Sequence, residues 1–354
     1  MGWLSTRRCG RSGLNLGRAA GLAGAALLAF AIAATASSAA TLDPRLLRKT
    51  FIDMGGGRRI HALCLGRGSP TVLFEPGGEG SMLSWQKVQP AITGLTRTCF
   101  YDRAGMGFSD PPTKPITAVN VTDEMRAVLG KLRVKGPVVI VGHSIGGFYA
   151  TVFTDRFPKR VAGLVLIEPG FSNQVNPRPP ESLEIDKAHI RAGDARELAC
   201  AGQARAGKLP FKDNGCMEYP PPHTAAETAY LTYIVTHPYW YEAEYDQSRH
   251  YFVADRGPSF DTLEEWKVRR DFGDLPMIVL SASDPPTRPW NSQPAQDQQR
   301  EDWQAGHRAL AARSAVGQWR LVSNSDHFVQ LSQPEPVIEA VREVLEAARR
   351  KPPA

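Results

Sequence analysis

Ser144 is the residue best suited to covalent chemistry in this chain of 354 residues. It is the centre of a Gly-x-Ser-x-Gly pattern, Gly142-His143-Ser144-Ile145-Gly146, with a β-branched run before it and a helix-forming segment after it. A sharp strand-to-helix turn of this kind holds the serine in a strained conformation that exposes its Oγ. Side chains at Gly142 and Gly146 would collide with the tight packing of the turn. The pattern therefore predicts a nucleophilic serine.

A serine hydroxyl is a weak nucleophile and needs a base. Of the eight histidines, His327 has the best position, because it follows the predicted strand Trp319–Ser323 and directly precedes the last helix. Functional residues of parallel sheets lie beyond the carboxyl ends of the strands, so His327 is expected on the same sheet edge as Ser144. His143 is adjacent to the serine, but its side chain is expected to point away from it. The other histidines are expected at the surface, in the core or in a lid: His61, His189, His223, His237, His250 and His307.

Strand-like and helix-like segments alternate through the chain. The predicted strands are Lys49–Asp53, Arg59–Leu65, Thr71–Glu75, Thr98–Tyr101, Pro137–Val141, Ala162–Ile167, Met277–Ser281 and Trp319–Ser323. The predicted helices are Met82–Leu95, Thr117–Leu132, Ile145–Phe157, Gln296–Ser314 and Glu335–Arg349. This order predicts an α/β fold with a mostly parallel sheet flanked by helices.

The alternation stops between residues 170 and 270, where proline and aromatic residues are frequent and no clear strand is visible. We interpret this segment as a helical lid, inserted between a first core part, 45–169, and a second core part, 271–350. The tyrosines and Trp240 clustered in the lid either line an apolar substrate pocket or only pack the lid onto the core. Both interpretations remain open at this point.

Four motifs in this order resemble the α/β-hydrolase fold superfamily, and the similarity covers about residues 50–350. They are Gly77-Gly78, Asp102-Arg103-Ala104-Gly105-Met106-Gly107-Phe108-Ser109, Gly142-His143-Ser144-Ile145-Gly146-Gly147 and Asp326-His327-Phe328. The resemblance implies an oxyanion hole formed by the backbone N–H groups of Ile145 and Gly78. Removing one such donor typically costs about 3–4 kcal/mol of transition-state stabilisation. In this family the turn at Asp102-Arg103 is chiefly structural, with Arg103 able to tie loops together near the site.

The resemblance leaves two residues open for the acid of a catalytic triad. In this fold the acid usually follows the seventh strand, where Asp284 stands, whereas haloalkane dehalogenases take it from the end of the sixth, where Glu168 stands. An unpaired carboxylate at a buried strand end is costly, which favours a partner for Glu168. One of these two carboxylates is expected to orient His327 and to stabilise its cationic form.

Ser144 stands where haloalkane dehalogenases and epoxide hydrolases of this fold have an aspartate, which favours acyl transfer over displacement at carbon. We therefore expect a serine hydrolase without a cofactor or metal, acting on a carboxylic ester of a small apolar substrate. An amide hydrolase similar to proline iminopeptidases is the second hypothesis, and a binding protein without catalytic activity is the third. Lid acids would recognise the free amino group of such an amide: Glu181, Glu184, Asp186, Glu242, Glu244 and Asp246.

The N-terminus has the features of an export signal. Residues 1–40 carry four arginines and no acid, then an apolar stretch, Ala19–Ala36, then small residues up to Ala40. This order is typical of a cleaved secretory signal, with an uncleaved membrane anchor as the alternative. The formal charge falls from +6 to +2 without this segment, so nucleic acid is not expected as a partner. The oligomeric state is not readable from the sequence.

Four cysteines remain after residue 40, and an oxidising compartment would allow them to pair. Cys200 and Cys216 flank a polar loop and are the better candidates for a disulfide. Cys64 and Cys99 lie in two predicted strands and are read as small buried apolar residues.

Overall fold

The structure, a computed structural model, describes residues 43–78, 80–174, 180–209, 216, 224–252, 257–285 and 292–350. The predicted export signal at residues 1–40 lies outside these ranges. Within them, no helix is both long enough and apolar enough to cross a membrane.

Eight strands form one sheet in the order β1-β2-β4-β3-β5-β6-β7-β8. The strands are β1 (Phe51–Gly55), β2 (Arg58–Leu65), β3 (Thr71–Glu75), β4 (Thr98–Tyr101), β5 (Val138–His143), β6 (Val161–Ile167), β7 (Met277–Ala282) and β8 (Gln318–Val322). β2 pairs antiparallel with both β1 and β4, and the other neighbours are parallel. The carboxyl ends of β5, β6, β7 and β8 therefore meet at one edge.

Helices cover both faces of this sheet. They are α1 (Gln89–Leu95), α2 (Ala118–Lys131), α3 (Ile145–Arg156), α4 (Pro180–Arg205), α5 (Ala225–Val235), α6 (Pro238–Tyr251), α7 (Phe260–Val268), α8 (Gln293–Ala311), α9 (Val329–Ser332) and α10 (Pro334–Arg350). Short 3₁₀ turns occur at Pro44–Leu47, Met82–Trp85 and Pro158–Arg160.

The central strands are apolar on both faces, as a sheet buried between two helical layers requires. All six residues of β5 are buried. Because side chains alternate along a strand, Val138 and Ile140 pack in one core cluster while Val139 and Val141 pack in the other. The predicted α/β-hydrolase fold class is confirmed.

In the described parts of the segment between β6 and β7, which the sequence predicts to be a lid, four helices occur, α4 to α7. Three of its aromatic side chains, Tyr230, Trp240 and Tyr241, are each only 1% exposed. The Tyr230 hydroxyl donates to Asp102 of the core at 3.0 Å, and the Tyr241 hydroxyl donates to the carbonyl of Val235 at 2.9 Å. These three rings therefore pack the helices against one another and onto the core.

Two disulfides cross-link the described residues. The predicted bond between Cys200 and Cys216 is present, with 5.6 Å between the Cα atoms. The interpretation of Cys64 and Cys99 as plain buried residues is wrong, because they also form a disulfide. The physical reason is the strand register: β2 and β4 run antiparallel, and Cys64 lies directly opposite Cys99.

Candidate active site

Ser144 lies at the turn between β5 and α3 in a strained backbone conformation. Its φ is +52°, a region that residues with a side chain rarely adopt. A Cβ built on Gly142 would lie 2.8 Å from the carbonyl oxygen of Gly146. One built on Gly146 would lie 2.3 Å from the carbonyl oxygen of Pro76. The two glycines thus permit the tight turn that presents Ser144, as the sequence pattern predicts.

The structure brings Ser144, His327 and Glu168 into one hydrogen-bonded chain. His327 Nε2 lies 3.0 Å from Ser144 Oγ, and His327 Nδ1 lies 3.2 Å from Glu168 Oε2. Since a carboxylate only accepts, Nδ1 carries the proton and Nε2 is free to accept the serine proton. Both distances are within the reach of a nucleophile, a base and an orienting carboxylate.

Glu168 is fully buried at the end of β6, and its charge is compensated by N–H donors. Oε1 accepts from the backbone N–H of Ala282 at 2.7 Å. Oε2 accepts from the indole N–H of Trp303 at 3.0 Å, in addition to His327. Asp284, the alternative acid, has an exposed side chain, and among the described residues no hydrogen bond or ion pair joins it to His327. The geometry therefore brings Glu168, and not Asp284, to the histidine.

His143 forms a hydrogen bond to the backbone of the loop that carries His327. Its Nε2 lies 2.8 Å from the carbonyl oxygen of His327, so this nitrogen donates. The two imidazole rings lie 4.8 Å apart between centroids. Burial, reinforced by the neighbouring His327, holds the pKa of His143 well below its ordinary value. A neutral His143 thus fixes the backbone of His327 without adding a charge beside it.

Gly78 and Ile145, the residues expected to form the oxyanion hole, lie on facing loops next to Ser144. A Cβ on Gly78 would lie 3.9 Å from Ile145 Cγ2, and a Cβ on the preceding Gly77 would lie 3.2 Å from Ser144 Cβ. Neither the Gly78 nor the Ile145 backbone N–H donates to a backbone acceptor among the described residues. Ile145 is the first residue of α3, where a helix has no internal acceptor for its N–H group, so Ile145 and Gly78 remain the expected oxyanion donors.

Arg103 fixes the orientation of the backbone at Gly77 and Gly78, which together are called the glycine loop below. Its buried guanidinium donates to the carbonyls of Pro76 and Gly77, the latter at 2.6 Å, and pairs with Glu75 at 2.9 Å. Because C=O and N–H point in opposite directions across a trans peptide, drawing the Gly77 carbonyl towards Arg103 turns the Gly78 N–H away from it. Burial raises the pKa of Glu75, an effect that the charge of Arg103 opposes.

Asp102, the residue before Arg103, holds the surrounding loops together. Oδ2 lies 2.7 Å from His61 Nδ1 and accepts from the Phe108 N–H at 3.2 Å and from the Tyr230 hydroxyl. Oδ1 accepts from the Met82 N–H at 3.1 Å. These contacts join Asp102 to β2, to α5 and to neighbouring backbone, and none of them is with Ser144 or His327. Asp102 is therefore a scaffold residue, as the family resemblance implies.

Helix α6 lies over these loops. Gln247 accepts from Arg103 at 3.2 Å through Oε1, and its Nε2 donates to Glu244 at 3.3 Å. A Cβ on Gly78 would lie 3.4 Å from Glu244 Oε2. Helix α6 thus brings the polar side chains of Gln247 and Glu244 directly beside the glycine loop.

Two supporting side chains were not predicted from the sequence. Trp303 belongs to a polar helix in which nothing marks the indole as a partner of Glu168. His143 stands out in the motif, but only the fold reveals that its ring reaches the His327 backbone. No cluster of three or more His, Cys, Asp or Glu side chains suited to a metal ion occurs in the parts of the chain that the structure describes.

Comparisons with known proteins identify the family. The sequence matches the alpha/beta hydrolase family over residues 72–340, so the chain belongs to that family. It is 28% identical to an uncharacterised protein of Schizosaccharomyces pombe over 246 residues, 69% of this chain and 40% of that protein. It is 31% identical to the (lyso)-N-acylphosphatidylethanolamine lipase of Mus musculus over 128 residues, 35% of this chain and 36% of the lipase.

The fold is similar to that of the haloalkane dehalogenase DatA from Agrobacterium tumefaciens C58, with a TM-score of 0.61 and 18% identity. That comparison covers 85% of this chain and 97% of the dehalogenase. The chain spans less than half the length of the two curated relatives above.

Proposed function

We propose that the protein is an exported serine hydrolase that cleaves a carboxylic ester of a small apolar substrate through an acyl-enzyme. The observation that carries this proposal is the hydrogen-bonded chain from Ser144 through His327 to Glu168. An intact nucleophile, base and acid argue against a protein that only binds, which has no need to keep all three.

In the proposed acylation step, Ser144 Oγ attacks the ester carbonyl carbon as His327 Nε2 takes the hydroxyl proton. The carbonyl oxygen gains negative charge, and the N–H groups of Ile145 and Gly78 stabilise it. Glu168 stabilises the imidazolium. The C–O bond to the alcohol then breaks, and the proton on Nε2 passes to the leaving oxygen.

Deacylation repeats these roles with water in place of the serine hydroxyl. His327 removes a proton from the water, the resulting hydroxide attacks the acyl carbon, and the same two amides stabilise the second oxyanion. Collapse of this intermediate releases the carboxylic acid and returns the proton to Ser144 Oγ. No group outside the protein is consumed except water.

Two further arguments support an ester. An ester is the easiest acyl substrate for a serine nucleophile, since its alcohol leaves more readily than an amine. The mouse relative named above is a lipase, which also acts on acyl bonds.

Labelling with a fluorophosphonate, with the modified residue identified by mass spectrometry, tests the proposal without a choice of substrate. We expect modification of Ser144 and, in a Ser144→Ala variant, loss of both labelling and p-nitrophenyl butyrate hydrolysis. Ser332→Ala is the matched control, since this hydroxyl on the same sheet edge donates to the Phe328 carbonyl. Full activity in the Ser144→Ala variant would refute the mechanism, and a folded protein that is never labelled would favour a binding protein.

Amide hydrolysis is a second candidate because one lid acid lies close to the glycine loop. Glu244 Oε2 would be 3.4 Å from a Cβ on Gly78, near the expected acyl position. Other lid acids are paired elsewhere: Asp246 accepts from the Ile116 N–H, and Glu184 pairs with Lys187. Comparing an aminoacyl p-nitroanilide with p-nitrophenyl butyrate separates the two candidates, and Glu244→Gln should impair only hydrolysis of the former.

The proposed export is supported by the sequence of residues 1–40 and by the two disulfides, because such bonds persist in oxidising compartments. Fractionation of expressing cells, with N-terminal sequencing of the mature chain, tests it. A new N-terminus after Ala36 or Ala40 outside the cytoplasm would support cleavage and export. An intact chain in the membrane fraction would instead support the anchor.

A further inference from the structure

Trp303 contacts the proposed triad acid from α8, a helix that carries none of the three proposed triad residues. Its indole N–H donates to Glu168 Oε2 at 3.0 Å. This is the same oxygen that faces His327 Nδ1 at 3.2 Å. The other carboxylate oxygen accepts from the backbone N–H of Ala282. Trp303 is thus the one side chain besides His327, among the described residues, that donates to this carboxylate.

The packing of α8 keeps the indole in this position. Gly306 faces Phe171 so closely that an added Cβ would lie 2.2 Å from the phenyl ring, so a glycine allows the helix to approach. The indole ring itself lies 5.4 Å from Phe171 and 4.7 Å from His307 between centroids. Contacts on two sides therefore limit the rotation of Trp303.

His307 cannot donate a hydrogen bond to Glu168 in place of Trp303, although its Nδ1 lies 3.9 Å from Glu168 Oε1. Its Nε2 lies 2.8 Å from the Pro169 carbonyl and therefore carries the proton. Its Nδ1 lies 2.6 Å from Ser281 Oγ and accepts the hydroxyl proton. Burial lowers the pKa of His307 to about 4, so the ring is neutral at ordinary pH.

We propose that Trp303 is a positioning residue that holds the Glu168 carboxylate in line with His327. The inference rests on the proposed function, because it assigns a part to the same Ser144–His327–Glu168 chain. Without the indole N–H, the backbone N–H of Ala282 alone would restrain the carboxylate besides His327, and Oε2 could turn away from Nδ1. With the carboxylate turned away, the imidazolium form of His327 would be less well stabilised, so the ring would bind its proton less tightly.

His307 and His327 lie near this carboxylate, and His143 packs against His327. His307 on α8 and His143 on β5 are buried and neutral, since burial lowers the pKa of each. His327 is the more accessible one, with a side chain 21% exposed. If the acidic limb of the pH dependence of kcat moves when Trp303 is replaced, the shift would therefore reflect the protonation of His327.

Trp303→Phe tests the proposal because it keeps an aromatic ring and removes the N–H. A hydrogen bond to a charged group is worth enough for kcat on p-nitrophenyl butyrate to fall about 10- to 100-fold. KM should stay within about twofold, since the indole is directed at Glu168 and not at substrate. The acidic limb of the profile should move to lower pH, because the displaced carboxylate stabilises the protonated ring less. A purely structural role would lower the melting temperature without moving that limb.

Trp319→Phe is the matched control. This second half-buried indole also donates a hydrogen bond on the same side of the sheet, to Ser281 Oγ at 2.7 Å, but it does not contact the proposed triad. Its kcat and acidic limb should match those of the wild type. A Trp303→Phe variant that behaves like Trp319→Phe in both respects would overturn the proposal.

A measurement independent of turnover separates this inference from the proposed function. NMR titration of the His327 C2 proton follows the ring directly, and in Trp303→Phe its midpoint should shift to lower pH relative to wild type. Coincident curves in the two proteins would overturn the role of Trp303, even if Ser144 is catalytic. A shifted curve together with full activity in Ser144→Ala would refute the serine mechanism while supporting the link from Trp303 to His327.

Discussion

Glu168 and His327 are 159 residues apart in the chain, yet Oε2 of the one lies 3.2 Å from Nδ1 of the other. Glu168 ends β6, the strand between β5, which carries Ser144, and β7. His327 follows β8 and reaches across the ends of β6 and β7. The contact therefore depends on the strand order of the parallel sheet and on no local sequence feature.

Substitution of the two candidate acids should have unequal effects. Glu168→Gln should lower kcat by about 10³- to 10⁴-fold, because an uncharged side chain neither stabilises the imidazolium nor fixes its tautomer. Asp284→Asn should stay within about twofold of wild type, because its side chain is exposed and, among the described residues, makes no hydrogen bond or ion pair to His327. Steady-state kinetics on p-nitrophenyl butyrate, with circular dichroism to verify folding, measure both. A larger loss of kcat in Asp284→Asn than in Glu168→Gln would make Asp284 the triad acid in place of Glu168.

Arg103→Lys should impair catalysis through the glycine loop. A lysine cannot reproduce the fork that binds the carbonyls of Pro76 and Gly77, so the Gly78 N–H would lose its fixed direction. Loss of one oxyanion donor predicts a fall in kcat of about 10²- to 10³-fold, with slower fluorophosphonate labelling.

Arg313→Lys is the matched control for that loss. Arg313 is also buried and paired, with Asp155 and Glu265, but these partners lie on α3 and α7 away from Ser144. Its replacement should lower the melting temperature and leave kcat of the folded enzyme unchanged. Equal losses of kcat in the two variants would mean that Arg103 acts only on stability.

His307 should make the protein sensitive to acid. Its pKa is about 4 in the folded protein and 6.5 as an ordinary histidine, with burial as the main cause. Between these values the unfolded chain binds the proton and the folded one does not, so the free energy of unfolding falls as pH drops from 6.5 to 4. The loss is on the order of 3 kcal/mol.

His307→Gln should flatten that part of the stability curve, although it loses hydrogen bonds at neutral pH. Urea unfolding at pH 4.5, 5.5 and 7 for both proteins measures the difference. Asp155 has its pKa raised to about 6 by burial and opposes the trend in this window. The comparison between wild type and variant cancels that contribution, and parallel curves would contradict the prediction.

Asp261→Asn should stabilise the protein in alkaline solution. Burial raises the pKa of Asp261 to about 7 from 3.8, and among the described residues its Oδ2 has no hydrogen-bond partner. The folded protein binds the proton more tightly, so ionisation destabilises it progressively as pH rises from 3.8 to 7. The full effect above pH 7 is at most about 4 kcal/mol.

An asparagine keeps an acceptor for the Ala118 N–H, which Asp261 Oδ1 now binds at 2.8 Å, and removes the charge. We expect a melting temperature several degrees above wild type at pH 8.5 and a clearly smaller difference at pH 5. Differential scanning fluorimetry at the two pH values is sufficient. A lower melting temperature at pH 8.5 would show that the carboxylate has a stabilising partner.

Local pattern was sufficient to predict the strands and the positions of Ser144 and His327, because each depends on a short apolar run and the turn that follows it. The predicted strand Thr71–Glu75, for example, is unchanged in the structure. The choice between Glu168 and Asp284 was open, since both follow strands that end at the same edge. Only the direction of each side chain distinguishes them. Their catalytic roles stay predictions until the variants are measured.

The remaining features depend on how elements pack. Cys64 and Cys99 form a disulfide because of the register between β2 and β4. Their separation of 35 positions in the sequence does not indicate that they pair. Trp303 reaches Glu168 because Gly306 lets α8 approach Phe171. Neither a strand register nor the distance between a helix and a loop is encoded in periodicity, so neither could be predicted.

The disulfide between Cys64 and Cys99 has a mechanical consequence. A pull on the amino end of the described chain would peel β1 from β2 and then strip β2 only as far as Cys64. The covalent bond would then transfer the force directly to Cys99 on β4. The segment between them, which includes β3 and the glycine loop beside Ser144, would bear no tension. A protein tethered through its N-terminus would therefore keep its candidate catalytic loop unstretched under load.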